Sequence, residues 1–241
     1  MNIKSLSVIT PPSSYVKDFT PSEVGVKCRL FAGLDPRVMR EIVGAAQLRH
    51  IKARQQVTLC GGRPDHLFFL KTGRARSYLL NEEGAEVLLL WLAPGDIVGL
   101  VSLMSNPPHY MAHASTVTDC DFLVWDHSNL RRLAKAFPSL IENGLRLGVH
   151  YLKVFIERHA SSVNKNAQSR LAQTLLQLAT RVGDVQPSGV IIEITNEQLG
   201  SLSDISSFTA SRLLSRWERD GSVVKERGRV TLVAPEALMI P

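Results

Sequence analysis

The hydrophobic pattern of this chain turns from strand-like to helical close to Asp126, and that change limits the architecture more than any other feature. Upstream of it, short segments rich in β-branched and large apolar residues occur at 50–53, 56–59, 67–71, 74–80, 87–92, 115–117 and 121–125. They are separated by Gly61-Gly62, Gly73, Gly84 and Pro94-Gly95. Turn residues recurring at roughly 8 to 12 positions between such segments predict an antiparallel roll of about eight strands. One short helix is expected ahead of it, where apolar residues recur at Leu34, Met39, Ile42, Val43 and Ala46 around Asp35-Pro36, a cap and a first helical position.

Downstream, Pro138 opens a long helical segment reaching about Val163. Ile141, Leu145, Gly148, Leu152, Phe155 and His159 alternate steps of four and three, the spacing of a coiled-coil seam. Leu140, Gly144, Leu147, Tyr151 and Val154 form a second row. The two rows predict two partners, the roll on one side and the same helix of a second copy on the other. The alternative is that both rows pack inside one domain. The expected organisation is α+β: a flexible arm at 1–23, a roll at 24–137, a dimerisation helix at 138–164 and a second domain at 165–241.

Within that second domain, Thr195-Asn196-Glu197-Gln198 has the form of a capping box, Asp204-Ile205 makes a turn, and Ser206 can cap a further helix over 207–219. At 100° per residue, Ala210, Leu213, Leu214 and Trp217 share one face of that helix and Phe208, Arg212 and Arg219 the other. An aromatic residue on a wet face beside arginines suits a recognition helix in a DNA major groove. Arg212 would bond guanine, Ser207 and Ser211 base edges or phosphate, Phe208 a thymine methyl, and Arg216 the backbone. A hairpin at 223–225 and 229–233 completes a winged helix-turn-helix, with Arg227 and Arg229 at its tip suited to flanking phosphates.

The 241 residues carry a net charge of +6, which permits a polyanionic partner without locating its site. Lys and Arg exceed Asp and Glu by 19 to 14 in residues 1–163 and only by 9 to 8 in 164–241. Any DNA contact must therefore come from placement and not from bulk charge. The longest apolar stretch, 87–104, is broken by Pro94-Gly95-Asp96, and the first residues lack the apolar core of a secretory signal. Cys28, Cys60 and Cys120 show no metal or disulfide spacing, so no metal is expected and a reducing cytoplasm fits. No nucleophile elbow, HExxH, Walker loop or dinucleotide fingerprint is present, which argues against an enzyme. The competing non-enzymatic reading is a protein-interaction scaffold using the same carboxy-terminal helices.

Taken in order, the leading Leu30-Phe31-Ala32-Gly33-Leu34, the roll with Pro94-Gly95-Asp96-Ile97-Val98-Gly99, the long helix and the segment from Ile194 to Arg229 resemble the family of the cyclic-AMP receptor protein and the fumarate-nitrate reduction regulator (CRP/FNR). The resemblance spans about residues 30 to 233. It implies a homodimer that binds palindromic double-stranded DNA near promoters and alters recruitment of RNA polymerase.

Three departures from the family pattern shape the expectations. Members that bind cyclic AMP carry Gly-Glu followed about ten residues later by Arg-Ser or Arg-Thr; here Gly99 is followed by Leu100 and the later positions read Tyr110-Met111-Ala112. Phe155 and Ile156 stand where such members place a hydroxyl pair. Burying a phosphate without a cation is costly, so cyclic-AMP dependence is not expected. Three scattered cysteines cannot supply the four that hold the iron-sulfur cluster of other members. What remains is an apolar lining of Leu100, Leu103, Met104, Tyr110, Met111, Phe155 and Ile156. That lining would suit an uncharged aromatic, a lipid-like molecule or haem, with His150 or His159 as axial ligand, or would be a filled core with no ligand. On the recognition helix Phe208 replaces the usual glutamate while Ser211-Arg212 is kept, so the operator should differ from the standard TGTGA and TTGAT half-sites.

Overall fold

The computed structural model describes residues 29–164 and 166–239, the side chains of 161–164 and 239 excepted. The expected arm at 1–23 and Cys28 lie outside them. Asp35 caps α1 (Pro36–Gly44) through its carboxylate, which accepts from the Arg37 amide at 2.7 Å. Eight strands follow: β1 (Gln47–Ile51), β2 (Gln56–Thr58), β3 (His66–Thr72), β4 (Ala75–Leu80), β5 (Glu86–Leu92), β6 (Ile97–Val98), β7 (His113–Thr116) and β8 (Cys120–Asp126). They form two antiparallel sheets, ordered β1-β8-β3-β6 and β2-β7-β4-β5.

The nearly unbroken apolar runs of β3 and β8 follow from their position, because both faces of that sheet are covered. Leu67, Phe69, Leu123 and Trp125 pack outward against Phe31 and Ile42. Phe68, Leu70, Phe122 and Val124 pack inward against Ala75 and Leu92 of the second sheet. The Trp125 indole donates to the Ile42 carbonyl at 2.7 Å, so the largest buried side chain also anchors α1.

Beyond the roll come α2 (His127–Ala136) and α3 (Ser139–Asn164). The buried Asn143 amide of α3 donates to the carbonyls of Leu30 and Ala32 at 3.1 and 2.9 Å, tying the leading segment to the long helix. The carboxy-terminal elements are α4 (Ala167–Val182), β9 (Asp184–Gln186), β10 (Gly189–Ile192), α5 (Asn196–Ser203), α6 (Ser207–Arg219), β11 (Val223–Glu226) and β12 (Arg229–Leu232). Their sheet is ordered β11-β12-β10-β9. Despite its turn-rich sequence, the segment 184–192 forms a second hairpin, β9–β10, because Val190 and Ile192 alternate into the core and pair β10 with β12.

The roll and the carboxy-terminal elements share a core. Leu88 and Trp91 of β5 are buried among Leu171, Leu199 and Leu202. The exposed backbone of this edge strand is also covered: the Leu88 amide donates to Ser201 Oγ at 3.0 Å, and Arg158 of α3 donates to the Leu89 carbonyl at 3.0 Å. Arg74 meets Glu193 at 3.2 Å and Arg181 meets Asp96 at 2.5 Å across the same joint.

Candidate nucleic-acid interface

α5 starts on a complete capping box. Thr195 Oγ1 accepts from the Gln198 amide at 3.3 Å, and Gln198 Oε1 accepts from the Thr195 amide at 3.0 Å. Asp204 ends the helix in a left-handed conformation, and Ser206 caps α6 by accepting from the Thr209 amide at 3.1 Å. Ala210, Leu213, Leu214 and Trp217 are buried, which fixes the roll angle of α6. Its opposite face is presented to solvent: Phe208 is 76% exposed, Ser207, Arg212 and Arg216 are exposed, and Ser211 is half-buried.

Several neighbours of this face have side-chain partners already. Arg216 donates to Gln168 of α4 at 3.4 Å. Lys225 of β11 donates through Nζ to Ser215 at 2.6 Å, while its amide donates to Glu218 at 3.0 Å. This strap between α6 and β11 was not evident in the sequence, because Ser215 and Lys225 lie ten positions apart on different element types. At the hairpin tip Arg227 is exposed, whereas Arg229 faces Glu193 at 4.0 Å and Glu226 at 3.6 Å. Those pairs are solvated and weak, so Arg229 is tethered but displaceable by a phosphate.

The long helix carries an apolar row that no part of the described chain covers. Ile141, Leu145, Val149, Leu152 and Ile156 are each between 39% and 69% exposed. Ile141, Leu145 and Leu152 of the expected seam belong to this row, together with Val149 and Ile156. At 100° per residue Val149 and Ile156 fall about 80° and 60° to one side of Ile141, while Gly148 and Phe155 fall about 20° and 40° to the other. On that second side Gly148 faces Leu100, and Phe155 lies half-buried beneath the guanidinium of Arg158 on the same helix, 5.4 Å from its ring centre. His159 is exposed.

The seven residues of the expected effector pocket are not brought together. Leu100 and Leu103 pack against the glycine face of α3, where a Cβ on Gly144 would meet Leu103 Cδ1 at 2.6 Å. Met104, Met111 and Ile156 are exposed, and Phe155 serves the Arg158 contact. Tyr110 is buried, its hydroxyl donating to the His66 carbonyl at 2.7 Å and accepting from the His66 amide at 3.1 Å. Burial pushes that phenol above its usual range. Its ring lies so close to Gly99 (φ +81°) that a Cβ there would sit 2.9 Å from Tyr110 Cε1 and 2.7 Å from the His66 carbonyl oxygen. Among the described residues no group of three His, Cys, Asp or Glu side chains is placed to hold a metal ion. Cys60 is exposed and Cys120 buried. His150 is half-buried, with its pKa lowered first by burial and then by Arg29 and Arg181.

Comparison with known proteins agrees with this geometry. A family model described as a cyclic nucleotide-binding domain matches residues 48–137. A second, described as a Crp-like helix-turn-helix domain, matches residues 169–239. The cAMP-activated global transcriptional regulator CRP of Salmonella typhimurium is 25% identical over 174 residues, covering 72% of this chain and 82% of that protein. The chain belongs to the CRP/FNR family. It is a DNA-binding transcription regulator of that type. The CRP-like cAMP-activated regulator of Mycobacterium tuberculosis is 23% identical over 218 residues, 90% of this chain and 97% of that one. Among solved structures, the c-di-GMP responsive regulator CLP of Xanthomonas campestris matches with a TM-score of 0.69 at 18% identity, covering 82% of this chain and 99% of that one. FixK2 of Bradyrhizobium japonicum matches with a TM-score of 0.66 at 20% identity over 80% of this chain and 95% of that one. These regulators share the mixed α+β architecture described above.

Proposed function

We propose that this CRP/FNR-type regulator is a cytoplasmic homodimer that reads a palindromic operator through α6 and does so without a cyclic nucleotide. The observation that carries the reading is the outward face of α6, where Phe208 stands 76% exposed on a helix whose other face is locked into the core. A solvated phenylalanine beside Arg212 has a physical use when bases lie opposite: apolar contact with a thymine methyl and a bidentate bond to guanine. Ser207 and Ser211 flank these two positions, and Arg216, Arg227 and Arg229 reach the backbone on either side. Pairing through the Leu145, Val149 and Leu152 row would place two copies of α6 on one duplex. Altered recruitment of RNA polymerase is the action that family relationship suggests.

Independence of cyclic AMP is supported by the surroundings of Gly99. A nucleotide phosphate there needs a cation and a ribose acceptor, and the chain offers Leu100 and a tyrosine whose ring already fills the space beside Gly99. These residues do not fit the nucleotide. Two titrations test the proposal. Anisotropy with labelled duplex DNA should show an affinity that falls steeply with salt, and a salt-insensitive or absent affinity would favour the scaffold reading. Calorimetry with cyclic AMP, cyclic GMP and c-di-GMP should show no binding at micromolar strength; micromolar affinity for any of them would overturn nucleotide independence.

A further inference from the structure

We propose that Arg170, on the helix that backs the helix-turn-helix, is a positioning residue for DNA reading: its guanidinium holds the turn between α5 and α6 and so fixes where the recognition helix points. The proposal rests on the assignment of α6 as the DNA-reading element.

The turn needs external support. α5 ends at Ser203, and Asp204 adopts φ 54° and ψ 50°, a region that a residue with a Cβ enters only at a cost. The reversal is tight enough that a Cβ on Gly200 would lie 2.8 Å from the Ile205 carbonyl oxygen and 3.1 Å from the Ser207 amide nitrogen. The last carbonyls of a helix lack partners within it. That of Gly200 accepts from the Ile205 amide at 3.0 Å. Those of Ser203 and Asp204 accept from Arg170, through Nε at 3.0 Å and a terminal nitrogen at 2.9 Å. One planar group thus grips two successive carbonyls, which fixes orientation as well as distance.

The grip hangs from a rigid support. Arg170 is in the first turn of α4, whose Leu171, Ala172 and Leu175 are buried, and Asn166 caps that helix by accepting from the Ser169 amide at 2.8 Å. α4 also reaches α6 through Gln168 and Arg216. Arg212 lies five residues into α6, about 8 Å along its axis from the turn. A tilt of about 10° at the turn would move it about 1.4 Å, enough to spoil a bidentate bond to one base edge. The diffuse attraction between arginines and phosphates would survive such a tilt. Loss of the grip should therefore reduce specific affinity and leave non-specific affinity in place.

The competing role for a half-buried arginine near this interface is direct contact with a phosphate. Arg170→Lys and Arg170→Gln separate the two, because lysine keeps the charge and loses the planar fork. The full chain and both variants are titrated by anisotropy with a duplex recovered by selection and with a scrambled duplex, over a series of salt concentrations. The expected result is a loss of about ten- to a hundredfold on the selected duplex for both variants, the range that one misplaced base contact covers. Affinity for the scrambled duplex should change less than about twofold and the salt slope should not change. Partial unfolding lowers both affinities together, so the ratio reports positioning alone. Rescue by lysine, a salt slope reduced by about one, or equal losses on the two duplexes would overturn the proposal. A wild-type chain that prefers no duplex would instead refute the DNA-reading assignment.

Discussion

The apolar row on α3 gives the sharpest quantitative test, through Leu152→Glu. Five side chains, each 39% to 69% exposed, together present the equivalent of nearly three fully solvated aliphatic residues. Burying them at about 1.5–3 kcal/mol per side chain gives roughly 4–9 kcal/mol per protomer and about twice that for a pair. Association costs about 4–15 kcal/mol, so the row suffices for a dimer without a large surplus. Leu152 is 58% exposed and has row residues on either side of it, Val149 and Ile156. Replacing it removes about 1–2 kcal/mol per protomer and sets two carboxylates against each other across a twofold axis. The dimer dissociation constant should rise about 30- to 1,000-fold. Sedimentation equilibrium on the full chain, wild type and variant, measures this directly. A wild-type chain that is monomeric at tens of micromolar, or a variant within threefold of wild type, would refute pairing through this row.

Tyr110→Phe removes the hydroxyl that the His66 amide and carbonyl share, and should cost about 1–3 kcal/mol in chemical denaturation; an unchanged midpoint would show that the tyrosine does not seal the space beside Gly99. Asp126 caps α2, and hydrogen bonds from Ser128 and the Asn129 amide hold its carboxyl below the usual carboxylate range. A depressed carboxylate stabilises the fold above its unfolded pKa of about 3.9 and loses that contribution as pH falls through the lower folded value. Asp126→Asn should therefore flatten the acid limb of a melting-temperature profile below about pH 4, and a limb of unchanged slope would contradict the cap.

The elements that sequence revealed are those built from local rules. The period change at Asp126, the Asp35-Pro36 start, the capping box at Thr195 and the buried stripe of α6 each depend on neighbours within a few positions, and each stands in the fold as read. What escaped depends on distant partners. The β9–β10 hairpin exists because β12 offers an edge to β10, and Val190 and Ile192 alone did not distinguish a strand from a loop. The exposed row on α3 shares Ile141, Leu145 and Leu152 with the seam read from the sequence and adds Val149 and Ile156, whose exposure depends on where the roll lies against the helix. Seven apolar residues between Leu100 and Ile156 suggested a pocket. Three of them face solvent, and the others are absorbed in packing that only the three-dimensional arrangement defines. Arg170 and Lys225 gave no sequence signal, since their partners lie on other elements.

Base reading by α6 through Phe208 and Arg212 is tested most directly by selection of bound sequences from a random duplex pool, with wild type and Arg212→Ala in parallel. The wild-type chain should recover a palindrome whose half-site is neither TGTGA nor TTGAT, and Arg212→Ala should lose preference at one guanine in each half-site while keeping the rest. Recovery of a standard half-site would contradict the role given to Phe208. The same site recovered with and without Arg212, or no enrichment at all, would contradict the recognition helix itself.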